Sequence, residues 1–351
     1  MLENRRILLL TDGHLGVFSS KTAVSILRYR ARDVVAILDR AAAGRDPASL
    51  VGVGAGIPIV ASVEEALRHE PRSLLIGIAP PGGGLPEEWR RFLREAIEHG
   101  IDILSGLHVM IADDPELGPL ARARGVAIAD VRRPPEGIPL GANLARTLPV
   151  ARILTVGSDC NCGKMVAAIE IADELERRGR RARFIATGQT GILLSGYGIA
   201  IDRVISDFVA GAVERMLLEN QHHEAVLIEG QGSLYHPAYS GVTLGLMHGS
   251  APNAMILCHQ ATRRTIRHHA EVPIPPLREI IDLHERIMAP LFPSKVIGIA
   301  LNCVDLPDGR AREAVDRAAA ETGLPATDVI RFGAAPLADA VEEILPTGAG
   351  K

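Results

Sequence analysis

Cysteine, net charge and long apolar runs are all in short supply in this chain, and each shortage closes off a class of protein. Four cysteines in 351 residues cannot form a disulfide framework, so a reducing, cytoplasmic setting is expected. They occur in neither a C-x-x-C nor an H-E-x-x-H setting despite twelve histidines, so they read as small buried apolar side chains rather than zinc ligands. A net charge of −4 gives no electrostatic case for nucleic acid or an anionic membrane. No apolar run reaches the roughly 18 residues of a membrane span. The opening MLENRRILLLTDGHLG is interrupted too early, by Asp12, to be a signal peptide. No G-x-G-x-x-G follows the first apolar run, which argues against a dinucleotide site there.

What remains is an ordinary globular composition, 47% hydrophobic and 23% charged, with length for about two domains. In the first part, apolar runs at 6–10, 34–38, 57–60, 73–78 and 102–105 alternate with helical periodicity at 22–30, 63–69 and 87–99. That alternation predicts a parallel, Rossmann-like sheet with right-handed crossovers. Asp12, Gly13, Asp39, the Ala79–Gly84 loop and Gly106–His108 then share the rim at the carboxyl ends of the strands. Asp39 fits a helix cap better than a ribose ligand. The order of elements resembles the CoA-binding domain of acyl-CoA synthetases. Residues 132–148, rich in Pro and Gly, mark the boundary. The expected division is 1–137, a linker at 138–149, and a second domain at 150–351.

The second domain opens on TVGSDCNCGKMVAA, residues 155–168. A strand, a glycine-bracketed loop, a lysine and a helix make a phosphate-binding loop. Gly157 and Gly163 let the backbone approach the anion, Ser158, Asp159, Cys160, Asn161 and Cys162 supply an N–H nest, and Lys164 adds a mobile charge. Five residues separate the glycines, and Met165 stands where a magnesium-binding hydroxyl is usual. The spacing, with Asp159 third, resembles the loop of dethiobiotin synthetase, which places Asp159 at the tip. A P-loop NTPase-like parallel sheet of the dethiobiotin-synthetase and MinD class is expected.

Glu229 closes the apolar run 225–228 in the manner of a Walker B acid, where its carboxylate can hold Mg²⁺, with Asp159 as a second ligand if a magnesium nucleotide is bound. Gly230, Gln231 and Gly232 follow it. The stretch 234–250 reads as long, irregular and dense in reactive groups, His236 among them. Asn302, at the end of the run 295–301, suits either a contact near a base or a turn cap.

GSDCNCGKM, ATGQTGILLSGYGIAID, SDFVAGAVE, IEGQGSLYHPAYSGVTLGLMHGSAP and LCHQATRRTIR resemble the two-domain family that contains D-glutamate N-acetyltransferase, whose members have been mislabelled NAD-dependent epimerases. SSKTAVSILRYR, LLIGIAPPGGGLPEEWR and DILSGLHVMIADDPEL extend the likeness through the first half. Cys162 (usually Val), Ser158 (for Thr) and Arg264 within the RT segment depart from the pattern without breaking the loop. The resemblance implies acetyl transfer from acetyl-CoA to the amine of an acidic amino acid. The loop would then hold coenzyme phosphates, with His236 as base, Gly230–Ser233 amides at the oxyanion and Arg263 on a substrate carboxylate. An ATP- and Mg²⁺-dependent ligase, favoured by Glu229 and Asp159 and opposed by Met165, and a nucleotide-dependent switch remain alternatives. Self-association is left open.

Overall fold

The computed structural model describes residues 6–16, 19–78 and 84–345, so most of the Ala79–Gly84 loop, residues 79–83, lies outside the described part. The chain forms two compact units. One comprises residues 1–134 with 189–200, the other 135–188 with 201–351. No helix among the described residues is long and apolar enough to cross a membrane.

In the first unit, six parallel strands are β1 (Ile7–Leu10), β2 (Val34–Leu38), β3 (Ile59–Val60), β4 (Ser73–Ile76), β5 (Asp102–Ser105) and β6 (Ile128–Asp130). Their order is β3-β2-β1-β4-β5-β6. This is the Rossmann order, the unbroken apolar run Ile7–Leu10 lying fully buried at its centre. Trp89 and Phe92 of the helix Glu87–Glu98 fill the core on one face. Asp39, fully buried, accepts from Thr11 Oγ1 (2.9 Å) and from the amides of Gly13 (2.9 Å), Ala41 and Ala42 (both 3.1 Å). Its carboxylate is a cap that ties two strand ends together.

The helix Gln189–Ser195 belongs to this first unit, although its position in the chain predicts it for the second. Gln189 Nε2 donates to Thr22 Oγ1 (3.0 Å) and Thr190 Oγ1 (2.9 Å), and Arg30 donates to the Leu194 carbonyl (3.0 Å). The boundary segment is not a loose linker either. Glu214 accepts the amides of Ala142 (2.8 Å), Leu144 and Ala145 (3.2 Å), fixing that stretch to the second unit.

The second sheet contains β7 (Ala151–Gly157), β8 (Ala182–Ile185), β9 (Ala225–Ile228), β10 (Ala254–Gln260), β13 (Lys295–Asn302) and β14 (Ala326–Thr327). A separate hairpin pairs β11 (Thr265–Ile266) with β12 (His269–Pro273). The sheet order is β14-β13-β10-β7-β9-β8, all parallel. Successive strands pass to one side of β7 and then to the other. The loop after β7 therefore opens at a topological switch point, where such sheets bind ligands.

Residues 240–250, expected as irregular chain, form a helix. Gly245 and Gly249 lower its intrinsic propensity, but they let it approach the helix Val209–Glu219 closely. A Cβ on Gly249 would lie 2.5 Å from the Ala210 carbonyl oxygen, and one on Gly245 would lie 2.4 Å from Val209 Cγ1. Close packing outweighs propensity here. The helix it packs on, Val209–Glu219, is preceded by two single turns, Ile201–Arg203 and Ser206–Phe208.

Candidate active site

The phosphate loop is where the sequence places it. All seven residues of β7 are buried, and the helix Lys164–Arg177 begins directly after Gly163, whose φ of 107° few other residues adopt. Lys164 is only 6% exposed. Its Nζ donates to the Asp159 carbonyl (2.7 Å) and lies 3.6 Å from Cys162 Sγ, while that thiol donates to the same carbonyl at 3.2 Å. A Cβ on Gly157 would sit 2.8 Å from Nζ, so that position must lack one. Met165 is packed into the core at 4% exposed.

Lys164, expected as a mobile charge, is instead buried and bonded within the loop. Lys164→Ala should cost about 1–3 kcal/mol, the usual consequence of taking a charged donor from a buried acceptor, here one left with only the weak Cys162 thiol. It should also abolish binding of a phosphate-bearing ligand. Urea unfolding and calorimetry with acetyl-CoA check both, and unchanged affinity would show that the loop does not hold phosphate.

Asp159, expected at the loop tip, is instead fully buried beneath it. Its carboxylate accepts the Cys160 amide (2.6 Å), the Arg267 amide (2.8 Å) and Arg263 NH1 (2.8 Å). Arg263 also donates to the Cys160 carbonyl (2.6 Å) and to Gln260. Its guanidinium therefore holds the loop in shape, and the fork foreseen for a substrate carboxylate is already engaged.

Glu229 turns toward the end of β8. Oε2 accepts the amides of Thr187 (3.0 Å) and Gly188 (3.1 Å), and the Gln231 side chain donates to the Thr187 carbonyl (2.5 Å). Gly230 packs directly on β7, since a Cβ there would fall 1.6 Å from the Thr155 carbonyl oxygen. Gly232 has a φ of 66° and is hemmed in by the Tyr239 carbonyl. Asn302 Cβ lies 3.8 Å from where a Gly163 Cβ would stand, while Asn302 Oδ1 caps the Val304 amide (3.1 Å). It is beside the loop and also a turn cap.

His236 comes to the loop from the chain after β9. One ligand atom each from Asp159, Cys160 and His236 lie within 4.8 Å of one another. The ring is 2% exposed, and its Nδ1 accepts the Ala238 amide (3.1 Å). The neutral imidazole accordingly carries its proton on Nε2, which is buried and makes no well-formed hydrogen bond, only a weak contact with the Arg267 backbone that raises its pKa a little. Burial pushes the His236 pKa down, the Asp159 charge opposes that, and His269 adds to it. This is a proton donor aimed beside the loop. The tautomer does not suit the base expected at this position, nor does it offer a lone pair to a cation. The Cys160 thiol is raised in pKa by burial and then by Asp159, with Lys164 and Arg267 pulling the other way. It is no ready nucleophile.

Sequence reasoning passed over His269. Its ring stands edge-on to His236 at 5.2 Å between centroids, and Nδ1 lies 3.1 Å from Glu271 Oε1. A carboxylate accepts only, so Nδ1 carries the proton and Nε2 keeps a lone pair. The signal was a His-x-Glu pair, which on a strand points both side chains to one face. Arg267, whose guanidinium acts on the Cys160 thiol, was missed as well.

A family described as a domain of unknown function, DUF1611, matches in two parts: a Rossmann-like domain at residues 40–134 and a P-loop domain at 139–338. The chain is 37% identical over 350 residues to a D-glutamate N-acetyltransferase of Tritonibacter scottomollicae, covering 98% of this chain and 100% of the relative. It is 36% identical over 273 residues to a protein of the same name from a Pseudoalteromonas species, covering 78% and 82%. A crystal structure of a DUF1611 family protein from Anabaena variabilis matches with a TM-score of 0.92 at 42% identity, over 97% of this chain and 99% of that one.

Proposed function

This chain belongs to the DUF1611 family, and from that premise we propose that it transfers an acetyl group from acetyl-CoA to the amine of D-glutamate. The names of two relatives that align with most of its length support the reaction class and the acceptor. The observation within the chain that carries the reading is the buried Nε2–H of His236 beside the phosphate loop, which has no well-formed acceptor and only a weak contact with the Arg267 backbone. Buried donors almost always have acceptors. An acetyl carbonyl oxygen, gaining negative charge as the amine attacks, is an acceptor that matures in the transition state.

The loop, Lys164 and the amino end of its helix hold the coenzyme phosphates, an arrangement that needs no hydroxyl at position 165. His269 Nε2 takes the proton from the attacking amine, with Glu271 fixing the ring. His236 donates to the carbonyl oxygen while the carbon is tetrahedral; when the C–S bond breaks the coenzyme sulfur leaves as thiolate and takes up the proton that His269 removed from the amine. Arg267, exposed beside Cys160, is placed to bind a carboxylate of the amino acid.

The test is to incubate the pure protein with acetyl-CoA and D-glutamate in buffer containing EDTA and no nucleotide, and to follow N-acetylglutamate by mass spectrometry. Product formation, with L-glutamate turned over more slowly, is the expected result. Turnover that requires ATP and Mg²⁺ would overturn the proposal in favour of a carboxylate-activating ligase.

A further inference from the structure

A cavity of about 630 Å³ adjoins the phosphate loop within the second unit. It lies among the end of β10, the segment entering the helix Leu277–Met288, and the helix Asp308–Thr322. That volume is typical of a small-molecule site and several times too large for glutamate alone. Its walls include Ile274, Leu301, Ala314 and Ala318, a flat apolar lining without a bulky side chain.

The cavity is also cationic. Arg263, Arg264, Arg278 and Arg317 line it against a single acid, Glu321. Glu321 Oε1 is occupied by the Leu277 amide (2.7 Å), and its backbone carbonyl accepts Arg278 Nε. Arg263 belongs to the loop through Asp159. The Arg264 guanidinium has no hydrogen-bond or ion-pair partner among the described residues, and Arg317 meets only the exposed Glu313, at 3.9 Å. The field of Arg264 is felt inside: after burial, Arg263 and Arg264 are what hold the His259 pKa down at about 4. His259 in turn bonds Ser158 of the loop (2.8 Å between Nδ1 and Oγ). Two residues of the cavity wall, His259 and Arg263, are thus bonded directly to Ser158 and Asp159 of the phosphate loop.

We propose that this cavity seats the 3′-phosphoadenosine end of coenzyme A, the adenine against the alanine and leucine wall and the 3′-phosphate between Arg264 and Arg317. The inference rests on the acetyl-CoA reading above. It goes further by assigning a recognition site for the phosphate that distinguishes coenzyme A from ATP and from its own dephosphorylated form. A phosphate monoester with two nearby guanidiniums is a charge-assisted contact that an adenosine 3′-hydroxyl cannot reproduce.

Calorimetric titration with coenzyme A, 3′-dephospho-coenzyme A and ATP tests it, on wild type and on Arg264→Gln/Arg317→Gln. Wild type should bind coenzyme A about tenfold or more tightly than the dephospho form, a difference of one strong charged contact. The double variant, with thermal unfolding confirming its fold, should bring the two within about twofold while its affinity for the dephospho form changes little. Equal binding of the two coenzymes by wild type would overturn the assignment, as would a double variant that still discriminates. Acetyl transfer from acetyl-dephospho-coenzyme A at an unreduced kcat/KM would do the same, yet leave the donor reading standing. Failure of every coenzyme to bind, with ATP binding instead, would remove both.

Discussion

Replacing His269 with glutamine is expected to lower kcat/KM for acetyl transfer by roughly 10²–10⁴, the usual contribution of one positioned proton acceptor. It should also remove the acid limb of the pH–rate profile. The sign follows from the chemistry: a general base accepts a proton only when neutral, so the wild-type rate falls toward acid and is recovered as pH rises. His236→Gln should behave differently. A glutamine amide still donates a hydrogen bond, so this variant should lose only about tenfold and keep its acid limb, whereas His236→Ala, with no donor, should lose about 10²–10³. Burial already holds His236 neutral, so its own protonation is confined to lower pH than that of an ordinary histidine. Profiles of the three variants against wild type separate the roles. A limb that survives in His269→Gln, or disappears in His236→Gln, would return the base to His236. Glu271→Gln adds a control for a positioning role, since it should lower kcat without abolishing turnover and without changing KM for acetyl-CoA.

The strands and the loop were legible because their signals are local. Ile7–Leu10 and Ala225–Ile228 are continuous apolar runs that only a sheet buried on both faces accommodates, and the glycine–lysine junction before an apolar helix has few other uses. Side-chain direction was not legible. That Lys164 lies buried on the Asp159 carbonyl, and that Arg263 is locked under the loop, depend on how β7 and β10 place their ends side by side. The tautomer of His236 was hidden for a subtler reason. Its identity and position were apparent, but which ring nitrogen carries the proton is set by the Ala238 amide, two residues on, in a turn that has no sequence signature. The helix Ser240–Ser250 was hidden because its glycines look like breakers until the helix they pack against is seen. The wall of the arginine-lined cavity is made of Ala314 and Ala318, residues that announce nothing except helix.

Arg152→Met should lower stability by about 2–4 kcal/mol while leaving the catalytic constants of the folded enzyme unchanged. Arg152 stands near the start of β7 and is 1% exposed. No acidic side chain pairs with it among the described residues. Nε donates to the carbonyls of Ser250 (3.1 Å) and Ala251 (3.0 Å), and NH1 to those of Leu148 (3.1 Å) and Val150 (2.9 Å). The guanidinium thus caps the carboxyl end of the helix Ser240–Ser250, where the helix dipole favours a cation, and it lies 5.4 Å from the Phe292 ring centroid. Burial draws its pKa down to about 10, which still leaves it charged at neutral pH. Two effects oppose each other on substitution. Methionine relieves the desolvation of a buried cation, a gain of several kcal/mol where such a charge is poorly compensated. It also strips partners from four carbonyls, at about 1–3 kcal/mol for each left unsatisfied. The other terminal nitrogen is buried without a partner, which adds to the cost of the cation, but with four acceptors and an aromatic face on the rest of the guanidinium the loss should win. Arg152→Lys should fall in between, keeping the charge but not the fork that spans four oxygens. The five residue steps from Arg152 to Gly157 span about 17 Å of strand, so the phosphate loop is remote from the change. A urea midpoint that falls in the order Arg, Lys, Met at constant m-value is the expected result. A methionine variant as stable as wild type would mean that desolvation dominates and that Arg152 is not what holds this end of the sheet to the helix.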